Sequence, residues 1–493
     1  MSKLKKFFHL AGLYSIGSVL ERALFFIFIP IYTFYLGIYE YGIIALMGIT
    51  VSLLAQPLSA PVISGFIRYY HSPEYKDKKG SLLFSSFILL CLQACGLAVV
   101  FYCLRNLISK LVLADVNLVN IVSLYSVILF LRPVSNFLLN FVRQEEKARM
   151  FIVLSWLKFV VSSLVSLVGL IYLNLGILAL IYGVLLGLAC DIIYVFPMFW
   201  RNSIHQFSVS VLREPLKYGY PRILDNFSNL LIQSGDRYVL KIFFPLSVVG
   251  LYGFAYHYAG VISIFLLAPL RYAIQPIALE QEATPEKQKE FLRRAAIYFS
   301  FISMAFCLFI ALYSQEIIGL VVRKKEFMAG SGLIALIAFS YLQHGLGNFF
   351  GWGLIMSKRS FYLSLNVLIS AIVNISLNFF FIPLWGVLGA ALATVISYFV
   401  WNGLKLYHSA KFYDLHFDLK RLSFITGLGI ILYLFSLVIA NGETIVLNVI
   451  TKFLLIMSYF GIFFITKFFT NEEKKYLKKL WLSVTKHGLR RGI

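Results

Sequence analysis

Charge is scarce in this chain. Asp, Glu, Lys and Arg make up 13% of its 493 residues, about half the share of an ordinary soluble protein. Cysteine is scarce too. The five present, Cys91, Cys95, Cys103, Cys190 and Cys307, lie in or beside apolar runs without metal-ligand spacing, which excludes a disulfide framework and reads as packing. No Gly-Lys-Ser/Thr loop occurs, so no ATP site is expected. The eight histidines are scattered; His257 and His344 fall within apolar runs and read as packed side chains. What the chain has instead is apolar surface: 60% hydrophobic and 17% aromatic residues, with a mean hydropathy of +0.83. No soluble fold has the interior to hide so much. The fold class expected is an all-α polytopic membrane protein.

Apolar runs long enough to cross a bilayer are expected near 10–36, 41–67, 81–104, 116–141, 150–173, 176–199, 217–240, 248–270, 291–313, 331–355, 360–382, 385–404, 422–440 and 445–466. These are about fourteen transmembrane helices. The first begins after Met-Ser-Lys-Leu-Lys-Lys, runs through Glu21 and Arg22 and lacks a small-residue cleavage site, so it is expected to be an uncleaved span. The net charge of +22 would suggest nucleic acid in a soluble protein. Here it sorts with topology. With the N-terminus inside, the inner segments carry 32 Lys and Arg and the outer loops 6. That asymmetry places both ends in the cytoplasm. The longest outer loop is about 17 residues, too short for a catalytic domain, so no enzyme is expected.

The chain also repeats. At an offset of 210, Arg149, Phe151 and Gly176 fall on Arg359, Phe361 and Gly386; at 208, Gly42 falls on Gly250 and Ala60-Pro61 on Ala268-Pro269. Both copies start inside, so they form two parallel six-helix lobes with a pseudo-twofold along the membrane normal. The expected organisation is 1–200 and 201–415 for the lobes, 416–470 for helices 13 and 14, and 471–493 for a basic amphipathic cytoplasmic tail. Residues 284–294 read as a short separate cytoplasmic helix. Two facing lobes enclose a cavity that can open to either side, which is a transporter plan.

Polar residues at bilayer depth point to that cavity. In the seventh span Arg222, Asp225, Asn229, Gln233 and Asp236 step along one helical face. The fourth carries Arg132, Asn136, Asn140 and Arg143. The fifth carries Ser155, Lys158, Ser162 and Ser166, where interhelical hydrogen bonding or snorkelling competes with a lining role. The eleventh carries Asn366, Ser370, Asn374 and Asn378. Gly183 with Gly187, and Gly347 with Gly351, read as close helix packing.

Three stretches carry a resemblance: 217–256, containing KYGYPRILDNFSNLLIQSGDRY; YLGIYEYGIIAL at 35–46; and FIPLWGVLGAALATVISY at 381–398. They resemble the polysaccharide-transporter branch of the multidrug/oligosaccharidyl-lipid/polysaccharide exporter superfamily. The resemblance implies a V-shaped pair of six-helix lobes plus two extra helices. It also implies flipping of polyprenyl-diphosphate-linked oligosaccharide units, such as O-antigen repeats for lipopolysaccharide, across a bacterial inner membrane. From related lipid-linked peptidoglycan flippases it implies cavity arginines at Arg22, Arg68 and Arg271, and an acid near the outer gate at Glu40.

The expected substrate-binding set is thus Arg22, Arg132, Arg222, Arg271, Asn229, Gln233, Asn136 and Arg68. Glu21, Asp225, Asp236 and Glu40 are candidates for coupling to a proton or sodium ion, set against a role in neutralising Arg22, Arg222 and Arg237. No cofactor or metal is expected. The expected partners are the lipid-linked oligosaccharide, membrane lipids and other polysaccharide-assembly proteins. Two other readings are a multidrug or cation antiporter of the same superfamily and a membrane glycosyltransferase or polymerase. The former would favour acids in its cavity; the latter is opposed by the short outer loops.

Overall fold

The computed structural model describes residues 28–267, Ile274, Ala278, 285–439 and 445–469. Each long apolar run among the described residues is a helix, because in lipid only a helix pairs every backbone N–H and C=O within its own segment. Residues 28–35 are helical, α1. Then come α2 (Ile38–Tyr69), α3 (Lys79–Cys103), α4 (Val119–Gln144), α5 (Ala148–Ile171) and α6 (Ile177–Asn202). The seventh is built of three pieces, α7a (Val209–Gly219), α7b (Arg222–Ser234) and α7c (Asp236–Phe243). Pro221, which has no N–H to donate, stands at the first break. The chain continues through α8 (Leu246–Ala259), α9 (Pro285–Leu312) and α10 (Ser331–Phe350). The run Ser360–Phe412 is divided at the non-helical Gly386 into α11 and α12, and α13 (Leu419–Ile439) and α14 (Ile445–Ile465) follow.

Among the described residues eleven helices are long and apolar enough to cross a membrane. Ser360–Phe412 counts once among these but contains two helices, and α7 is interrupted. Thirteen of the fourteen expected spans thus correspond to described helices; the first, 10–36, lies mostly outside the described residues. One expectation is corrected: 284–294 is no separate helix, since Pro285–Leu312 is continuous. Proline in the first turn starts a helix without cost, and nothing after it breaks the run. The amphipathic tail lies outside the described residues.

The duplication is visible in backbone geometry. Between α5 and α6 Gly176 has φ 54°, ψ −132°; between α11 and α12 Gly386 has φ 56°, ψ −130°. That region belongs almost only to glycine, so both copies turn by the same device. The loops before α5 and α11 match as well, with Glu146 at φ 54° and Lys358 at φ 57°. Their offset is 212, not the 210 that pairs Gly176 with Gly386, so the stretch from this loop to the glycine is two residues shorter in the second copy.

The two lobes meet along α2 and α8. A β-carbon on Gly42 would overlap the carbonyl oxygen of Leu246, and one on Gly250 would overlap that of Ile38. Both relations carry the offset of 208, so the contact is itself pseudo-twofold. It lies where α2 and α8 begin, the expected outer face. Toward the other face α2 packs on α7a, where Gly65 meets the Pro215 carbonyl and Gly219 meets that of Pro61. The pair Ala268-Pro269 lies outside the described residues. Within the first lobe Gly183 and Gly187 let α6 approach Ser162 and Ser166 of α5 closely, as their spacing indicates. In the second, Gly347 faces Trp401 and Asn402 of α12 in the same way. Helix α13 packs on α9, and α14 on both.

Candidate functional site

Polar side chains on α2, α4, α5, α7b, α8, α10 and α12 converge on a set of cavities at the junction of the lobes. The first, of about 760 Å³, lies between α4, α5 and α6 on one side and α8 and α10 on the other; Arg132, Asn136, Lys158, Ser162, His257 and Tyr341 stand in its wall. The second, about 600 Å³, lies between α2, α4 and α7 and includes Gln56, Ser59, Arg68, Asn136 and Asn226. The third, about 450 Å³, is bounded by α7b, α10 and α12. The fourth, about 360 Å³, lies toward the α2–α8 contact and includes Ser52, Gln233, Arg237, Tyr256 and Tyr398. Neighbouring cavities share residues. Asn136 joins the first to the second, Gln56 and Asn226 the second to the third, Gln233 the third to the fourth, and Tyr256 and His257 the fourth to the first. The four chambers form a closed ring.

The two cations of the first chamber are held differently. Lys158 Nζ lies 3.6 Å from Asp191 Oδ2, and Ser135 Oγ donates to the same oxygen at 2.8 Å, so α4, α5 and α6 are tied at one carboxylate. Asp191 is only 1% exposed. Arg132 stands one residue before Pro133 of α4, and no ion pair reaches it among the described residues. Its charge faces the chamber. One turn on, Asn136, in the wall of the first and second chambers, accepts at its Oδ1 from Asn140 Nδ2 at 3.2 Å.

The seventh helix divides its polar stripe by what it meets. Along α7b the side chains of Asp225, Asn229 and Gln233 line the third chamber. At Asp236 the same face meets α8 and α12 instead. Asp236 is fully buried there, accepting from Tyr252 Oη at 2.7 Å and from Arg237 Nη1 at 3.2 Å, with Thr394 Oγ1 at 3.5 Å. Arg237 also donates to the Gln233 carbonyl and lies 4.1 Å from the ring centroid of Tyr256. This is a polar knot inside the second lobe, of which Arg237 and Tyr256 also stand in the wall of the fourth chamber. Beside it on α11, Asn366, Ser370, Asn374 and Asn378 are all fully buried, so the eleventh-span stripe faces helix and not cavity.

The remaining expected residues fall as follows. Arg68 is exposed at the edge of the second chamber. Glu40 accepts from the Gly37 N–H at 2.8 Å and caps the start of α2; Glu326 and Lys324, from the segment before α10, lie beside the same glycine. Arg222 opens α7b, its side chain outside what is described. Glu21, Arg22 and Arg271 lie outside the described residues. Sequence reasoning missed Lys405, counted with an inner loop. The twelfth helix continues to Phe412, and Lys405, 5% exposed, lines the third chamber. The signal was its place one turn after Trp401, which its ammonium covers at 3.5 Å from the ring centroid. His257 and His344 also line chambers and are not packed away in the core.

Such a ring suits a hydrated, hydrogen-bonding headgroup. Each unpartnered hydroxyl taken out of water costs several kcal/mol, and amide and hydroxyl walls supply partners. An unpaired guanidinium offers phosphate paired donors and charge together.

Comparison with known proteins agrees with this plan. A family model described as polysaccharide biosynthesis protein matches residues 35–325, more than half of the chain. The "Probable low-salt glycan biosynthesis flippase Agl15" of Haloferax volcanii is 22% identical over 255 residues, 52% of this chain and 54% of that protein; the chain thus spans about half the length of that curated relative. Among solved structures, the lipid II flippase MurJ in an inward closed conformation superposes with a TM-score of 0.66 at 17% identity, covering 93% of this chain and all of that one. An inward-facing multidrug resistance MATE family transporter gives 0.60 at 14% identity, covering 87% of this chain and 96% of that one. At these identities the structural likeness speaks for the fold, a multi-pass membrane transporter architecture.

Proposed function

Since the chain belongs to the polysaccharide biosynthesis protein family, we propose that it is a flippase for lipid-linked glycans, a transporter and not an enzyme. Its cargo in this reading is a polyprenyl-diphosphate-linked oligosaccharide, the precursor of O-antigen or a similar surface polysaccharide. The headgroup crosses from the cytoplasmic to the outer leaflet of a bacterial inner membrane through the chambers between the lobes, while the lipid tail stays in the bilayer. The lobes alternate between openings to either side, with both chain ends cytoplasmic. The observation that carries this reading is Arg132. It is a cation at bilayer depth, without an ion-pair partner among the described residues, in a ring of amides and hydroxyls. Arg68 adds charge at the expected inner mouth, and Arg22, Arg222 and Arg271 complete the proposed cationic set.

A cationic drug would need the opposite wall. The largest chamber presents Arg132, Lys158 and His257 and, among the described residues, no acid in its lining, which disfavours the antiporter reading. An anionic headgroup moving outward runs down the membrane potential, at ~2.3 kcal/mol per charge per 100 mV. Asp225, at a chamber wall, is the better placed acid for a counter-moving proton or sodium ion. Asp236 already has Arg237 as its counter-charge, and Glu40 serves as a helix cap.

The test is a proteoliposome assay with fluorescently labelled polyprenyl-diphosphate oligosaccharide. Wild-type protein should expose the label to a non-permeant quencher in the opposite compartment, and Arg132→Ala protein should not. Equal rates in protein-free vesicles and in vesicles with wild-type protein would end the proposal.

A further inference from the structure

The first and third chambers differ in chemistry. The first presents Arg132, and Lys158 held by Asp191, beside few amides. The third presents Asp225 and Lys405, whose charges cancel, together with Asn226, Asn229, Gln233 and Asn348. It also presents an aromatic cluster. Trp401 lies parallel to His344, with 13° between planes and 5.6 Å between centroids, and Lys405 is pinned over the indole by donating to the Gly347 carbonyl at 2.8 Å. Trp401 is 5% exposed, lines the chamber, and its Nε1 has no acceptor among the described residues. An indole N–H buried in this way lacks the partner such groups normally find.

A wall of no net charge, crowded with directional donors and acceptors on a rigid aromatic floor, does not select a phosphate. It selects a neutral ligand with many hydroxyl and amide groups: adjacent hydroxyls donate to one carboxylate and accept from amides and an ammonium, and an acyl oxygen can accept from Trp401 Nε1. We propose that the third chamber is the glycan subsite and the first the diphosphate subsite, so that the headgroup lies across the lobe junction with its sugars on the second lobe. The second chamber, which shares Asn136 with one and Asn226 with the other, is the passage between them. This inference rests on the flippase reading and adds substrate orientation and new residues, Lys405, Trp401 and Asn348, to it. Those residues do not touch the lipid diphosphate; they read the sugar attached to it.

The experiment uses full-length protein in lipid nanodiscs and two probes: undecaprenyl diphosphate, and undecaprenyl diphosphate bearing one N-acetylhexosamine. Binding is followed by native mass spectrometry, with thermal unfolding as a check on fold. Wild-type protein should bind the glycosylated probe at least fivefold more tightly. Asn348→Leu, which fills the chamber without disturbing a buried charge, and Lys405→Met should each reduce that preference to less than twofold while changing affinity for the bare diphosphate less than twofold. Arg132→Ala should weaken both probes at least tenfold and keep the preference. If Asn348→Leu and Lys405→Met keep the preference, or weaken both probes equally while remaining folded, the allocation is wrong and the flippase reading stands. If wild-type protein binds neither probe, the flippase reading fails and the allocation fails with it.

Discussion

In the second lobe, Asp236 and Arg237 are buried against each other, and Tyr252, Thr394 and Tyr256 complete their coordination. In the first lobe, Asp191 holds Lys158 in a comparable way, but Arg132 is left facing the chamber. The lobes share a backbone plan down to the torsion angles of Gly176 and Gly386. Their buried charges differ in pairing: Arg237 meets its chamber with Asp236 already beside it, whereas Arg132 faces its chamber with no ion pair among the described residues. A duplicated fold can therefore give one copy the task of holding shape and the other the task of holding charge.

The sharpest way to break this contrast is to remove one partner of the closed pair. Asp236→Leu leaves Arg237 buried without its counter-charge and should cost about 3–5 kcal/mol, read as a large drop in unfolding temperature in detergent. The double variant Asp236→Leu/Arg237→Met should regain most of that loss, because it removes both charges. If the double variant is as unstable as the single, the pair is not the closed unit described.

The lobe junction comes next. Gly250→Val places methyl groups where the Ile38 carbonyl lies, and Gly42→Val does the same opposite Leu246. Each should cost about 1–3 kcal/mol by overpacking, and each should reduce disulfide cross-linking between cysteines placed at Ala45 and Gly253, which face each other across this contact. Unchanged cross-linking in both variants would deny the α2–α8 contact its symmetry.

Arg132→Ala should behave in the opposite way to Asp236→Leu. Its unfolding free energy should stay within about 0.5 kcal/mol of wild type, or rise, because no ion-pair partner among the described residues is left behind. Flipping should fall at least tenfold, equivalent to about 1.4 kcal/mol on the barrier. Lysine in its place should restore little where paired donors matter. The smallest effect expected is for Glu286→Ala in the first turn of α9, whose exposed carboxylate lies 3.4 Å from Lys289 Nζ. A loss of about 1 kcal/mol or less, with flipping unchanged, would mark this pair as a surface contact outside the charge system of the chambers.

Much of this could be read from the chain. Apolar runs fixed the helices, since lipid offers the backbone no other partner. The offset of 208 singled out Gly42 and Gly250, which the fold brings against each other's helices, and Arg132 with Asn136 sat on a stripe that does line a chamber. What the chain left unread has physical causes. The stripe from Asp225 to Asp236 is continuous in sequence, but periodicity states only which residues share a face. It does not state that α8 and α12 cover that face at Asp236 while a cavity opens at Asn229. Lys405 was taken for a loop because hydropathy falls at a charge, whereas a helix ends where its hydrogen bonding ends, here at Phe412.

Composition and the spacing of apolar runs determined a membrane-spanning helical chain, and the repeat determined that it has two halves. These follow from local free energies, the cost of an unpaired peptide group in lipid and the cost of a side chain at a turn that only glycine can make. Which polar groups meet was decided by tertiary structure alone. Arg132 acquired no counter-charge among the described residues, Asp236 acquired one, and Lys405 was carried inward on an extended helix. A charge's environment depends on everything packed within a few ångströms of it, and those neighbours come from distant parts of the chain.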